Sequence, residues 1–95
     1  MKQEELKEAL KEDFANMDLR GWSFKGQNLS GANFSNADLE GACFIDTILV
    51  SANFEGANLK NADFSCANAW SANFNETNCK DALFLSANLT EASFE

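Results

Sequence analysis

Residues 31–40 read Gly31-Ala32-Asn33-Phe34-Ser35-Asn36-Ala37-Asp38-Leu39-Glu40: a small residue, a polar one and a large apolar one, recurring every five positions. The pattern runs far to either side. From Phe14, every fifth residue is Phe14, Leu19, Phe24, Leu29, Phe34, Leu39, Phe44, Leu49, Phe54, Leu59, Phe64, Ala69, Phe74, Cys79, Phe84, Leu89 and Phe94. Fifteen of these 17 positions hold Phe or Leu, and all nine Phe of the chain share the register, which marks them as the structural core. Two residues earlier runs a second register, Ala at every position from Ala32 to Ala92 except Thr47 and Thr77.

A period of five suits neither a helix, whose apolar residues recur at i, i+3 and i+4, nor a flat strand, where an odd repeat flips faces at every unit. A short extended segment followed by a corner resolves the conflict. The small and the large residue, two apart, point inward, and the Asn or Asp between them points out. The other two residues turn the chain. All five glycines, Gly21, Gly26, Gly31, Gly41 and Gly56, fall at corners, and Asn, Asp, Ser or Glu stand at others.

A chain that bends the same way at every unit coils into a solenoid. The large inward residues alternate Phe and Leu, so each coil has an even number of sides, and two or four both satisfy that. With four, one coil takes four units and stacks Phe14-Phe34-Phe54-Phe74-Phe94 and Phe24-Phe44-Phe64-Phe84 in two columns. Arg20, Glu40, Lys60 and Lys80 then share one surface column, with Glu40 between two cations, and Val50 lies under Trp70.

Units such as Gly31-Ala32-Asn33-Phe34-Ser35, Asn36-Ala37-Asp38-Leu39-Glu40 and Gly56-Ala57-Asn58-Leu59-Lys60 resemble the A(D/N)LXX signature of pentapeptide repeat proteins, over residues 14 to 95. The resemblance implies an all-β fold, a right-handed quadrilateral β-helix of about four coils. It also implies two behaviours known among family members: dimerisation through C-terminal ends, and mimicry of DNA by acidic rods that occupy DNA gyrase.

Residues 1–13 form a separate element and 14–95 the solenoid. Leu6, Ala9 and Leu10 fall on one side of a helix over residues 2 to 12, with Glu and Lys opposite. So short a helix needs a surface, and the first coil offers one, so a short N-terminal capping α-helix is expected. Met17 and Trp22 carry bulk where Ala is usual, as terminal solenoid units do. Ala69 and Cys79 replace Leu at core positions, where Trp70 or nearby Phe rings are expected to adjust. The last coil is expected to expose its edge and its final core layer, favouring a homodimer through that end.

Composition narrows the function. The 95 residues carry a net charge of −8, with 15 acids against 7 bases, which argues against direct nucleic-acid binding. There is no His, hence neither the commonest general base nor the commonest metal ligand. No catalytic constellation appears; the recurring Asn and Asp serve solvation and corner hydrogen bonds. No catalytic, cofactor-binding or metal-binding residue is assigned, and the expected protein is not an enzyme. Cys43 and Cys66, on one side but offset by three residues, and Cys79 in the core register have no metal-motif spacing and read as three free thiols. No apolar run approaches the roughly 18 residues of a membrane span. The opening MKQEELKEALKED is charged throughout, unlike a signal peptide, and the expected location is the cytoplasm.

Two surfaces stand out. One side gathers Glu12, Asp13, Glu55, Glu76 and Glu95 with no Lys or Arg. Four coils at about 4.8 Å span roughly 19 Å, and DNA of that length carries about 11 phosphates, so five carboxylates imitate it thinly. A solubilising surface is the plainer use. On two adjacent sides, Ile45, Ile48, Val50, Trp70, Leu83 and Leu85 occupy outward positions that should be polar. Scattered surface hydrophobes are ordinary, but a cluster with Trp suggests a contact with another protein. The expected function is a non-enzymatic scaffold binding a protein through that surface or its end, with an acidic DNA mimic as the alternative.

Overall fold

Each repeat unit turns the chain by one hydrogen bond. In the unit Ala32-Asn33-Phe34-Ser35-Asn36, the carbonyl of Phe34 accepts the N–H of Ala37 at 3.1 Å, closing a four-residue turn. The fifth residue of the unit takes the left-handed conformation, with φ of 57° at Asn36 and 71° at Gly41. A positive φ at the third residue of a four-residue turn is the mark of type II geometry. The same residue of the other units repeats it, including Asp46, Cys66 and Glu76, which are not glycines.

The computed structural model describes residues 12–95. Its second-position residues form parallel bridges to their counterparts four units further on: Asn33 to Asn53, Asp38 to Asn58, Cys43 to Asp63 and Ile48 to Asn68. One circuit therefore has four sides, with one unit on each, which settles the choice between two sides and four. Among the described residues pairing starts at Asp13, which bridges to Asn33. Side 1 holds residues 12–16, 32–36, 52–56, 72–76 and 92–95, and sides 2, 3 and 4 follow unit by unit. The helix expected over residues 2 to 12 lies outside the described residues, apart from Glu12, whose φ of 72° is not helical. Among the described residues there is no helix.

The circuits are tied by backbone hydrogen bonds of alternating direction. Phe34 N–H donates to Asn53 O at 2.7 Å, and Asn53 N–H donates back to Ala32 O at 2.9 Å. Inside the tube the phenyl rings stack in two columns. Phe34 and Phe54 lie parallel within 4°, with centroids 4.9 Å apart, close to the spacing of neighbouring β-segments. The columns face each other edge to face, as between Phe34 and Phe44 at 5.4 Å and 90°. Offset and edge-on contacts of this kind add to the area each ring buries.

Phe14, Phe24, Phe34, Phe44, Phe54, Phe64 and Phe74 are buried, as are the Ala registers between them. Phe84 is partly buried, and Phe94 is 49% exposed, so the core expected to run through Phe94 thins at its last layer. The reason is local: Phe94 stacks on Phe74 at 4.7 Å on one face and meets Phe84 only by its edge, at 6.0 Å. Thr47 and Thr77 enter the Ala register by donating their hydroxyls to the carbonyls of Phe44 and Phe74, at 2.6 and 2.8 Å. Ala69 is fully buried, yet Trp70 does not fold in beside it and stays 44% exposed. Alternation aims a fourth-position side chain outward. Cys79 packs partly buried against the core, its Sγ 3.1 Å from Thr77 Oγ1.

Candidate protein-contact surface

The outward face of each unit is organised by its second residue. The side-chain oxygen of Asn33 accepts the N–H of Ser35 at 3.0 Å, and that of Asn73 accepts the N–H of Asn75 at 2.8 Å. This Asx motif uses a short polar side chain to satisfy a corner amide that the ladder leaves free. On side 4 it fixes the backbone at the Trp. Asn68 Oδ1 accepts the Trp70 N–H at 3.2 Å and also a hydrogen from Asn88 Nδ2 at 3.2 Å.

Where apolar residues replace polar ones, their carbon meets water. Ile48 and Trp70 on side 4 are 41% and 44% exposed, and Leu83 and Leu85 on side 3 are 47% and 67% exposed. Ile45 and Val50 are half-buried, so four of the six expected contact residues carry most of the exposed surface. Val50 and Trp70 stand one circuit apart and share a column at the edge of side 4 that meets side 1; the Trp70 carbonyl accepts the Ser51 N–H at 2.9 Å. Side 4 carries a single charge, Glu91. Phe94, of the core register, adds a further exposed apolar ring.

The acidic candidates Glu12, Asp13, Glu55, Glu76 and Glu95 are all exposed on side 1. Glu55 Oε1 accepts a hydrogen from Asn73 Nδ2 at 3.3 Å, and Asp13 Oδ1 accepts the Ala15 N–H at 3.4 Å. Among the described residues none of these five carboxylates joins an ion pair.

The cations lie elsewhere. On side 2 Arg20 holds Asp18 with two guanidinium hydrogen bonds of 2.9 Å and lies 3.8 Å from Asp38 in the next circuit. The side-chain hydrogen bonds from Arg20 hold the Asp18 carboxyl below its ordinary pKa, and the bond to Asp18 raises that of Arg20. Arg20 thus chooses the residue two before it rather than its column neighbour Glu40. Residues two apart on an extended segment share a face.

The three cysteines are free thiols: Cys43 half-buried, Cys66 exposed at a corner, Cys79 half-buried. Among the described residues no three His, Cys, Asp or Glu side chains gather as metal ligands, and no helix is long and apolar enough to cross a membrane.

Comparison with known proteins agrees with this geometry. Pentapeptide repeats match the chain in eight copies, over residues 13–46, 44–69 and 62–95. A pentapeptide repeat protein from the thylakoid lumen of Arabidopsis thaliana has a similar structure, with TM-score 0.85 and 33% identity over 86% of this chain. This chain spans 57% of that protein's length. A pentapeptide repeat protein from Nostoc is similar at TM-score 0.68 and 26% identity, over 96% of this chain and 71% of the other. HetL, a Nostoc pentapeptide repeat protein involved in heterocyst differentiation regulation, shares the fold at TM-score 0.52 and 23% identity, over 86% of this chain and 40% of its own. No curated protein matches the sequence.

Proposed function

The chain belongs to the pentapeptide repeat family, and from that premise we propose that it is a non-enzymatic scaffold that binds another protein through side 4 and its edge with side 3. The proposal includes a right-handed tube of about four coils as the rigid support. The observation that carries it is the exposure of Ile48, Trp70, Leu83 and Leu85 at outward positions where most other units place polar or charged residues. A Trp amid aliphatic carbon on a nearly uncharged side is the composition of a contact centre. The rigid tube lowers the ordering cost of binding, because the backbone beneath Trp70 is already held by Asn68.

The test is a pull-down from native lysate with three baits in parallel: wild type, Trp70→Ser, and Glu55→Lys with Glu76→Lys. A partner lost with Trp70→Ser and retained in high salt supports the apolar contact. A partner lost with the charge reversals and released by salt, together with inhibition of gyrase supercoiling, would instead identify the acidic side as a DNA mimic. Equal capture by all three baits overturns both.

A further inference from the structure

We propose that the partner presents a cationic amphipathic segment, laid along the edge between sides 4 and 1, with its apolar face on Val50 and Trp70 and its Lys or Arg side chains on Glu55 and the neighbouring carboxylates. This rests on side 4 being a protein-contact surface and names what its other edge, the one with side 1, takes.

The argument starts from the apolar edge. Val50 and Trp70 stand in one column, and only the corner residues Ser51 and Ser71 separate that column from side 1. Side 1 holds Glu12, Asp13, Glu55, Glu76 and Glu95 and no Lys or Arg. The described cations stand on other sides, Arg20, Lys60 and Lys80 on side 2 and Lys25 on side 3, and Arg20 is taken by Asp18. The negative potential of side 1 is therefore uncompensated by its own surface.

One contact brings the two features together. Asn73 donates to the Glu55 carboxylate at 3.3 Å, which turns that carboxylate toward the next circuit. Asn73 lies three residues after Trp70, at most about 11 Å along the chain at up to roughly 3.6 Å per residue. A helix with side chains is about 10–12 Å across, so one helix can cover Trp70 and reach Glu55 together. Charge complementarity selects its polar face: an acidic face would be repelled by side 1, and a neutral one would leave the carboxylates partly desolvated without partners.

The probe is a synthetic 18-residue helix-forming peptide with Leu on one face and Lys on the other. Two control peptides carry Glu in place of Lys, or Ser in place of Leu. Binding to the full chain is followed by calorimetry and by tryptophan emission. The Leu/Lys peptide should bind saturably and roughly tenfold or more tighter than either control, a difference of about 1.4 kcal/mol or more. Trp70→Ser should weaken it about tenfold, and Glu55→Gln with Glu76→Gln should do the same. Asp46→Asn with Asp63→Asn removes the same charge from side 3 and should leave the affinity unchanged. Circular dichroism checks that each variant keeps its fold.

No binding, equal binding of the Glu peptide, equal binding of the Ser peptide, or an equal effect of the side 3 pair overturns the inference. Trp70-dependent capture of a partner from lysate, without preference for the basic peptide, overturns this inference alone and leaves the scaffold reading standing.

Discussion

The side-chain oxygen of Asn36 occupies the space that a β-carbon on Gly56 would need. The two residues stand one circuit apart, on one corner of the tube, and both have positive φ, 57° and 72°. At Gly41, with φ of 71°, nothing stands within 4 Å of the same place.

Alanine at Gly41 should therefore cost the left-handed strain alone, about 1 kcal/mol. Alanine at Gly56 should cost more, because Asn36 must swing aside as well. Urea midpoints of the two variants measure the difference, and Asn36→Ala should erase it. Equal losses in the presence of Asn36 would show that its side chain yields freely.

Phe54 and Phe94 share a column but not an environment. Phe54 is buried between Phe34 and Phe74, with centroids at 4.9 and 5.0 Å, whereas Phe94 has one stacked neighbour. Phe54→Ala should cost about 3–5 kcal/mol, and Phe94→Ala about half of that or less, since its ring keeps 49% of its exposure in the fold. Denaturant unfolding of both variants decides it. Similar losses would mean that the last layer is packed as tightly as the middle.

The core was legible because its cause is periodic. Phe34, Phe54 and Ala52 are inward for the same reason, and any two successive units show it. The corners were legible only in outline. Gly41 and Asn36 announce a bend by residue type, whereas Cys66 and Glu76 are placed at corners by the register alone and adopt φ of 61° and 60°. Closure of the circuit, to which every unit contributes, imposes that conformation on whatever residue stands there. Of the candidate surface, Ile48 and Trp70 could be placed from their register, because alternation sets which side chains face out. The half-burial of Val50 was not read from the register, which sets direction and not degree of exposure. The partner of Arg20 also escaped a column argument: Asp18, two residues away on the same segment, is within reach without any bending of the tube.

Thr47 buries a hydroxyl at a position of the Ala register. Its Oγ1 donates to Phe44 O at 2.6 Å, and that carbonyl also accepts the residue 47 N–H at 3.2 Å. Thr47→Val should lose one hydrogen bond without orphaning the carbonyl, costing about 0.5–1.5 kcal/mol. Thermal unfolding of this variant checks it. A loss above about 3 kcal/mol would mean that the hydroxyl, rather than the amide, satisfies the carbonyl.

Acid should loosen the clasp between Asp18 and Arg20. The Arg20 hydrogen bonds hold the Asp18 carboxyl below its ordinary pKa, so the native state binds that proton less readily than the unfolded chain does. The stabilisation is therefore complete above the unfolded value of about 3.9 and is lost as pH falls through the lower native value. The raised pKa of Arg20 is the same bond seen from its partner, so it is lost in acid when Asp18 takes its proton and at the other extreme only in strong alkali. Both groups are exposed, which keeps the effect small and sensitive to salt. Asp18→Asn should be slightly less stable than wild type at pH 7 in low salt, and the two melting temperatures should converge as the pH falls through the lowered native value. Addition of about 1 M salt at pH 7 should shrink the gap as well. A gap that persists undiminished at acid pH would mean that it does not come from the charge of Asp18, since an amide at this position can still accept the Arg20 N–H that Asp18 accepts at 3.3 Å.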